Sequence, residues 1–190
     1  MFGKVGVANA TLDEIAQCAG VSKGTIYLYF SSKEELFRQT IRQALAPDGA
    51  EKPTSTLESP SRQLRNTISE HWEFLTREPA LTAARLLNAE QWQYPDLAEH
   101  YAAQVVARFT EEVTAILEIG VRSREFRDVD PGVAARMLAA LAVQSASWRA
   151  SGGGPSPAGQ TSEEVLTELT QFYFQAIAPL DSAFPQADGA

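Results

Sequence analysis

The stretch TLDEIAQCAGVSKGTIYLYFSSKEEL, Thr11 to Leu36, constrains this chain more than any other. Thr11 and Glu14 have the spacing of a capping box, in which side chain and backbone at a helix start satisfy each other. Leu12, Ile15, Ala16 and Ala19 then recur at helical spacing. Gly20 suits the left-handed residue that ends a helix, and Val21 reads as a core plug in the turn. Ser22 is placed to cap a second, short helix from Lys23 to about Tyr29. Ile26 and Phe30 share its buried face, while Lys23, Thr25, Tyr27 and Tyr29 occupy the rest of its surface. Ser32 and Glu35 read as another capping box. It opens a third helix with Leu36, Phe37, Ile41 and Leu45 as its apolar stripe. Two short helices joined by a glycine turn describe a helix-turn-helix, whose second helix enters the major groove of DNA.

Charge agrees with that reading. No acidic residue occurs from Ile15 to Lys33. A surface that meets phosphates avoids carboxylates, and lysines, hydroxyls and helix N-termini supply its contacts. The competing reading is a small solvated hairpin with surface lysines. The overall charge of −8 is unsuited to DNA, but it is unevenly spread. Residues 1–47 carry five basic and four acidic residues, and residues 48–190 carry eleven and twenty. The acidic part would discourage adhesion to DNA and leave contact to the head.

The segment resembles the DNA-binding domain of TetR/AcrR-type transcriptional regulators. The resemblance rests on Phe2, Gly6, Ala10-Thr11, Glu14-Ile15-Ala16, Ala19-Gly20-Val21-Ser22, Gly24-Thr25-Ile26-Tyr27, Tyr29-Phe30 and Ser32-Lys33-Glu34-Glu35-Leu36. It implies that Thr11 touches a phosphate and that Ser22, Lys23, Gly24 and Thr25 open the recognition helix against bases and phosphates. Tyr27 and Tyr29 would meet the backbone, and Lys33 would donate to a phosphate. Family members extend the first helix upstream of the position of Phe2, where this chain has only Met1. The first helix is therefore read as truncated unless the start is placed too late, and a genuine loss would expose part of the core around Ile15, Ile26 and Phe30. That departure supplies an alternative function: a helical dimeric module that binds a ligand or partner, with impaired DNA binding.

The remainder reads as wholly helical, so the fold class is all-α. The expected organisation is a DNA-binding head over 1–46, a linker over 47–60, a helical effector-binding and dimerisation domain over 61–180, and a flexible tail over 181–190. Helices are expected from Ser61 to Arg77, Pro79 to Gln93, Pro95 to about Ser123, Pro131 to about Ala150 after an Asp130 cap, and, after a Thr161-x-x-Glu164 capping box, to about Ala178. Ser151 to Gly159 reads as a flexible loop.

By resemblance, the middle helices enclose a small, apolar or aromatic effector. The residues set out for it are Trp72, Leu75, Leu86, Trp92, Tyr101 and Phe109. The segment Arg85 to Tyr101 also resembles the C-terminal domain of an AefR-like subgroup. The last two helices carry apolar residues on more than one face, and the family pairs them into a four-helix dimer interface. Met137, Leu141, Gln144, Trp148, Leu166, Leu169, Phe172 and Tyr173 are the interface residues this implies. A dimer reading two half-sites implies a near-palindromic double-stranded operator.

Enzyme chemistry finds no support. There is no glycine-rich phosphate loop and no nucleophile–base set. Glu70-His71 and Glu99-His100 read as solvated helix faces, because adjacent helical residues point about 100° apart. No metal or cofactor is expected. The sole cysteine, Cys18, reads as a small buried residue. No apolar run is long enough to span a bilayer and no secretory pattern opens the chain, so no membrane association and a cytoplasmic location are expected.

Overall fold

A computed structural model of the chain describes residues 1–46, 58–151 and 159–179. Among these the structure is helical: α1 Phe2–Asn9, α2 Leu12–Ala19, α3 Lys23–Tyr29, α4 Lys33–Ala44, α5 Pro60–Thr76, α6 Glu78–Glu90, α7 Pro95–Tyr101, a π-helical segment Ala102–Ala107, α8 Arg108–Arg122, α9 Pro131–Ser151 and α10 Ser162–Ile177. Most of the linker read over 47–60, the tail over 181–190 and most of the loop before Gly159 lie outside the described residues. No helix among those described is long and apolar enough to cross a membrane.

The chain divides into two compact units, Met1–Gly49 with Arg77–Val105, and Ala50–Thr76 with Val106–Ala190. In the first unit, α4 packs against α6 and α7, and its Phe37 is fully buried. Phe2 meets the Phe37 ring edge-on at 5.3 Å between centroids and Tyr94 lies at 4.9 Å. Arg77 caps α4, donating from Nη2 to the carbonyls of Ala44 (3.2 Å) and Ala46 (2.7 Å). Asp96 accepts from Arg38 Nε at 3.1 Å and lies 3.7 Å from Arg42. α1 is kinked at Gly6, whose φ of 78° is cheap only for glycine. Of the residues expected to lose cover, Ile26 is 6% exposed, and Ile15 and Phe30 are half-buried.

The second unit is built on α5, α8, α9 and α10. α5 packs on α8, and Leu64, Ile68, Trp72 and Leu75 of the one and Phe109, Val113, Ile116 and Leu117 of the other are buried in its core. Gly120 lets α8 approach Phe126, since a side chain there would fall on the buried ring. Ala135, Leu138, Ala139, Ala142 and Ala146 form the buried face of α9. The helix starts as its sequence requires, with Asp130 Oδ1 accepting from Val133 N–H at 2.8 Å.

One expected helix differs. The stretch from Pro95 to about Ser123 is not continuous α-helix but α7, the π-helical segment and α8. Its stripe of Leu97, Tyr101, Val105, Phe109 and Val113 repeats every four residues. On an α-helix such a stripe drifts by about 40° per step. The wider π turn takes up part of that drift and keeps Val105 and Phe109 buried.

Candidate nucleic-acid interface

Capping decides where each head helix begins. Thr11 Oγ1 accepts from Glu14 N–H at 3.2 Å and donates to Glu14 Oε2 at 2.7 Å, while Thr11 N–H donates to the same oxygen at 3.0 Å. Gly20, with φ 69°, closes α2 by donating to the carbonyls of Ala16 and Gln17. Ser22 Oγ accepts from Thr25 N–H at 3.0 Å and lies 2.8 Å from Thr25 Oγ1, which sets the first turn of α3. At α4, Ser32 Oγ accepts from Glu35 N–H at 3.1 Å. The second capping box is not reciprocal, however. Glu35 instead accepts from Ser31, from its N–H at 2.6 Å and from its hydroxyl. The two donors of Ser31 compete successfully with the single N–H of Ser32.

Three of the four acidic groups of the head are committed to local partners. Hydrogen bonds from Thr11 hold the Glu14 carboxyl below the usual carboxylate range, and those from Ser31 do the same for Glu35. Asp13 pairs with Lys23, Oδ2 to Nζ at 2.7 Å, and this bond raises the lysine's affinity for its proton. Lys33 Nζ donates to the Ala8 carbonyl at 3.3 Å.

Among the residues of α3 only Ile26 is buried. Tyr27 is 52% exposed, Leu28 81% and Tyr29 74%. Full burial of one such side chain is worth roughly 1.5–3 kcal/mol, so a helix offering these three to solvent forgoes about twice that in the folded unit. Leu28 escaped the sequence reading, which followed the tyrosine hydroxyls; its position opposite Ile26 on a seven-residue helix was the available signal. Gly24 has a related meaning. Its φ is not in the left-handed region, and the nearest atom to an added Cβ would be Ser22 Oγ at 3.6 Å. The fold has room for a side chain there.

Two other head residues lie differently from expectation. Val21 is 42% exposed and plugs no core, since its N–H already secures the turn by donating to the Ala16 carbonyl at 3.0 Å. Cys18 is exposed, because it stands about 200° around α2 from the buried Ala16.

The effector candidates are distributed over both units. Trp72, Leu75 and Phe109 are buried in the second, and Trp72 Nε1 donates to Ser162 Oγ at 3.0 Å. Leu86 and Tyr101 belong to the first and are partly buried; burial pushes the Tyr101 phenol up to about 12. Trp92 is 90% exposed in the turn after α6, so it lines no interior. His71, read from the sequence as part of a solvated helix face, joins the buried residues of the second unit. Its ring stacks on Phe109 at 3.8 Å between centroids, and its buried Nε2 has no hydrogen-bond partner. Burial pushes the imidazole down to about 4. The solvated-face reading is therefore corrected for His71, whose apolar neighbours are spread over two helices that only the fold brings together.

The dimer candidates separate by exposure. Met137, Leu141, Gln144 and Trp148 stand on the exposed face of α9, and Phe172 is 62% exposed on α10. Leu166 is half-buried. Leu169 and Tyr173 face inward, with Tyr173 Oη donating to the Ala134 carbonyl at 3.0 Å.

Residues 1–40 match the model of bacterial regulatory proteins of the TetR family. Residues 62–177 match that of the AefR-like transcriptional repressor C-terminal domain. The chain is 30% identical over 137 residues to YfiR of Bacillus subtilis (strain 168), an uncharacterized HTH-type transcriptional regulator. That alignment covers 69% of this chain and 65% of YfiR, just under two thirds of its length. It is 26% identical over 165 residues to the HTH-type transcriptional repressor KstR2 of Rhodococcus jostii (strain RHA1), covering 80% and 76%. The crystal structure of the TetR-family regulator PfmR from Thermus thermophilus superposes with a TM-score of 0.68 at 24% identity, covering 90% of this chain and 91% of that one. A head of capped helices around a glycine turn, joined to a C-terminal match that spans more than half its length, places this chain in the TetR family of bacterial regulators, which are not enzymes.

Proposed function

We propose that the protein is a ligand-responsive, DNA-binding transcriptional regulator. It acts as a repressor, binds a near-palindromic operator as a homodimer and is released by a small effector. The observation that carries the reading is α3 itself: a capped helix that offers Lys23, Tyr27, Leu28 and Tyr29 to solvent, keeps Thr25 half-buried beside them and leaves Gly24 bare. Thr25 is suited to base edges, Leu28 to thymine methyl groups, and the tyrosine hydroxyls to phosphates. Bare glycine permits close approach of the sugar–phosphate backbone. Thr11, Ser22 and Lys33 stand at the starts of α2, α3 and α4, where N–H groups favour anions.

Pairing two heads requires an interface. The exposed apolar row Val133, Met137, Leu141 and Trp148 on α9, with Phe172 on α10, is the surface we assign to it. The effector, small and apolar or aromatic, is assigned to the second unit beside Trp72, Leu75, Phe109 and the neutral imidazole of His71. It releases DNA by binding more tightly to a conformer whose head spacing does not match the operator. Repression follows the sign of KstR2 and of the AefR-like description. Selection of genomic fragments by the purified protein tests the reading. Enrichment of one near-palindromic sequence is expected, and recovery of an unenriched population would refute it.

A further inference from the structure

Asp13 is the second residue of α2 and Lys23 the first of α3, so the glycine turn brings together two side chains ten positions apart. Their 2.7 Å contact is an ion pair in open solvent, with the lysine side chain 45% and the aspartate side chain 69% exposed. Such pairs contribute at most about 1 kcal/mol. The caps at Thr11 and Ser22 and burial of Ala16 and Ile26 already hold the two helices, so the pair is not needed to fix the turn. Glu14 and Glu35 are turned onto Thr11 and Ser31. Asp13 instead directs its charge at a cation that stands on the proposed DNA face.

We propose that Asp13 is a specificity-determining residue that acts through Lys23, suppressing adhesion to arbitrary DNA more than binding to the operator. The inference rests on the DNA-binding reading given above. On arbitrary sequence, Lys23 has only a phosphate to gain, and reaching it means leaving or sharing Asp13, whose carboxylate then faces the phosphate. The ammonium therefore adds little to the counterion release that drives non-specific binding. In the operator complex the pair is kept: Lys23 donates to a base acceptor in the major groove while Asp13 holds the ammonium in place. The aspartate thus weakens phosphate-only encounters and spares the one that offers base contacts.

The test compares wild type with Asp13→Asn by fluorescence anisotropy. One probe is a random-sequence duplex of about 30 base pairs and the other the genomic duplex selected by the wild type, each titrated between about 50 and 200 mM salt. Asp13→Asn should tighten binding to the random duplex by about fivefold and steepen its salt dependence by about one released counterion. Binding to the selected duplex should tighten less, so that discrimination falls. In a Lys23→Ala background the Asp13→Asn effect should vanish. Asp13→Glu, which keeps the charge, should behave like wild type. Unchanged affinity and salt slope in Asp13→Asn, or the full effect without Lys23, would overturn the role of Asp13 and leave DNA binding standing. A wild-type protein that binds neither duplex would overturn the DNA-binding reading itself.

Discussion

Replacing Gly24 by alanine separates what the fold needs from what DNA needs. Gly24 is the second residue of α3 and sits in helical backbone. The added methyl would make one ordinary contact, with Ser22 Oγ at 3.6 Å. Nothing in the folded unit opposes the substitution, and alanine loses less backbone entropy on entering a helix. The gain is about 0.5–1 kcal/mol for an interior position, so the melting temperature should rise by about 2 °C in a chain of this size. Binding should move the other way. If the sugar–phosphate backbone approaches α3 at this point, a methyl holds the helix off, and direct contacts lengthen together. Loss of a single charge-assisted contact corresponds to about 1.5 kcal/mol or more, a weakening of roughly tenfold. Thermal denaturation followed by circular dichroism reads the first effect, and anisotropy with the selected duplex reads the second. A stabilised protein with undiminished affinity would refute the close approach. A destabilised protein would show that the glycine serves the fold.

Other outcomes follow from the same geometry. Lys33→Ala should weaken binding to selected and random duplexes alike, with the salt slope reduced by about one; unchanged affinity would remove Lys33 from the interface. Met137→Glu combined with Leu141→Glu should convert the proposed dimer to monomer in light-scattering chromatography, with circular dichroism unchanged because both side chains are exposed. The imidazole of His71 titrates lower in the folded chain than its ordinary value of 6.5, at about 4. Between those values the unfolded chain binds the extra proton, so stability falls as pH falls, by about 2 kcal/mol at pH 5. Urea unfolding of His71→Leu should lack that share of acid sensitivity, and identical pH profiles for the two proteins would contradict the burial of His71.

Local chemistry made much of the head legible in advance. Capping residues, a glycine with positive φ and four-residue apolar spacing act within a turn or two, so α2, α3 and α4 begin at the positions read for them. Where a feature depended on distant partners, the reading failed. Val21 and Cys18 are apolar in type, yet no neighbouring element covers them. His71 is polar in type, yet α8 brings Phe109 onto its ring. The register correction before α8 depends on which face of a long helix must stay buried, and spacing alone does not reveal how that drift is absorbed. At the proposed interface, residue types and helix position indicated Thr25, Tyr27 and Tyr29. The Asp13–Lys23 pair and the exposure of Leu28 required the packing of α2 against α3.

Protection of the selected duplex from dimethyl sulfate tests the placement of α3 most directly, because the reagent methylates guanine N7 in the major groove and adenine N3 in the minor groove. Protected guanine N7 positions are expected in two half-sites about 34–36 Å apart, with protection lost in a Thr25→Ala protein at the base that residue reads. Protection confined to adenine N3, or a pattern unchanged by Thr25→Ala, would contradict that placement.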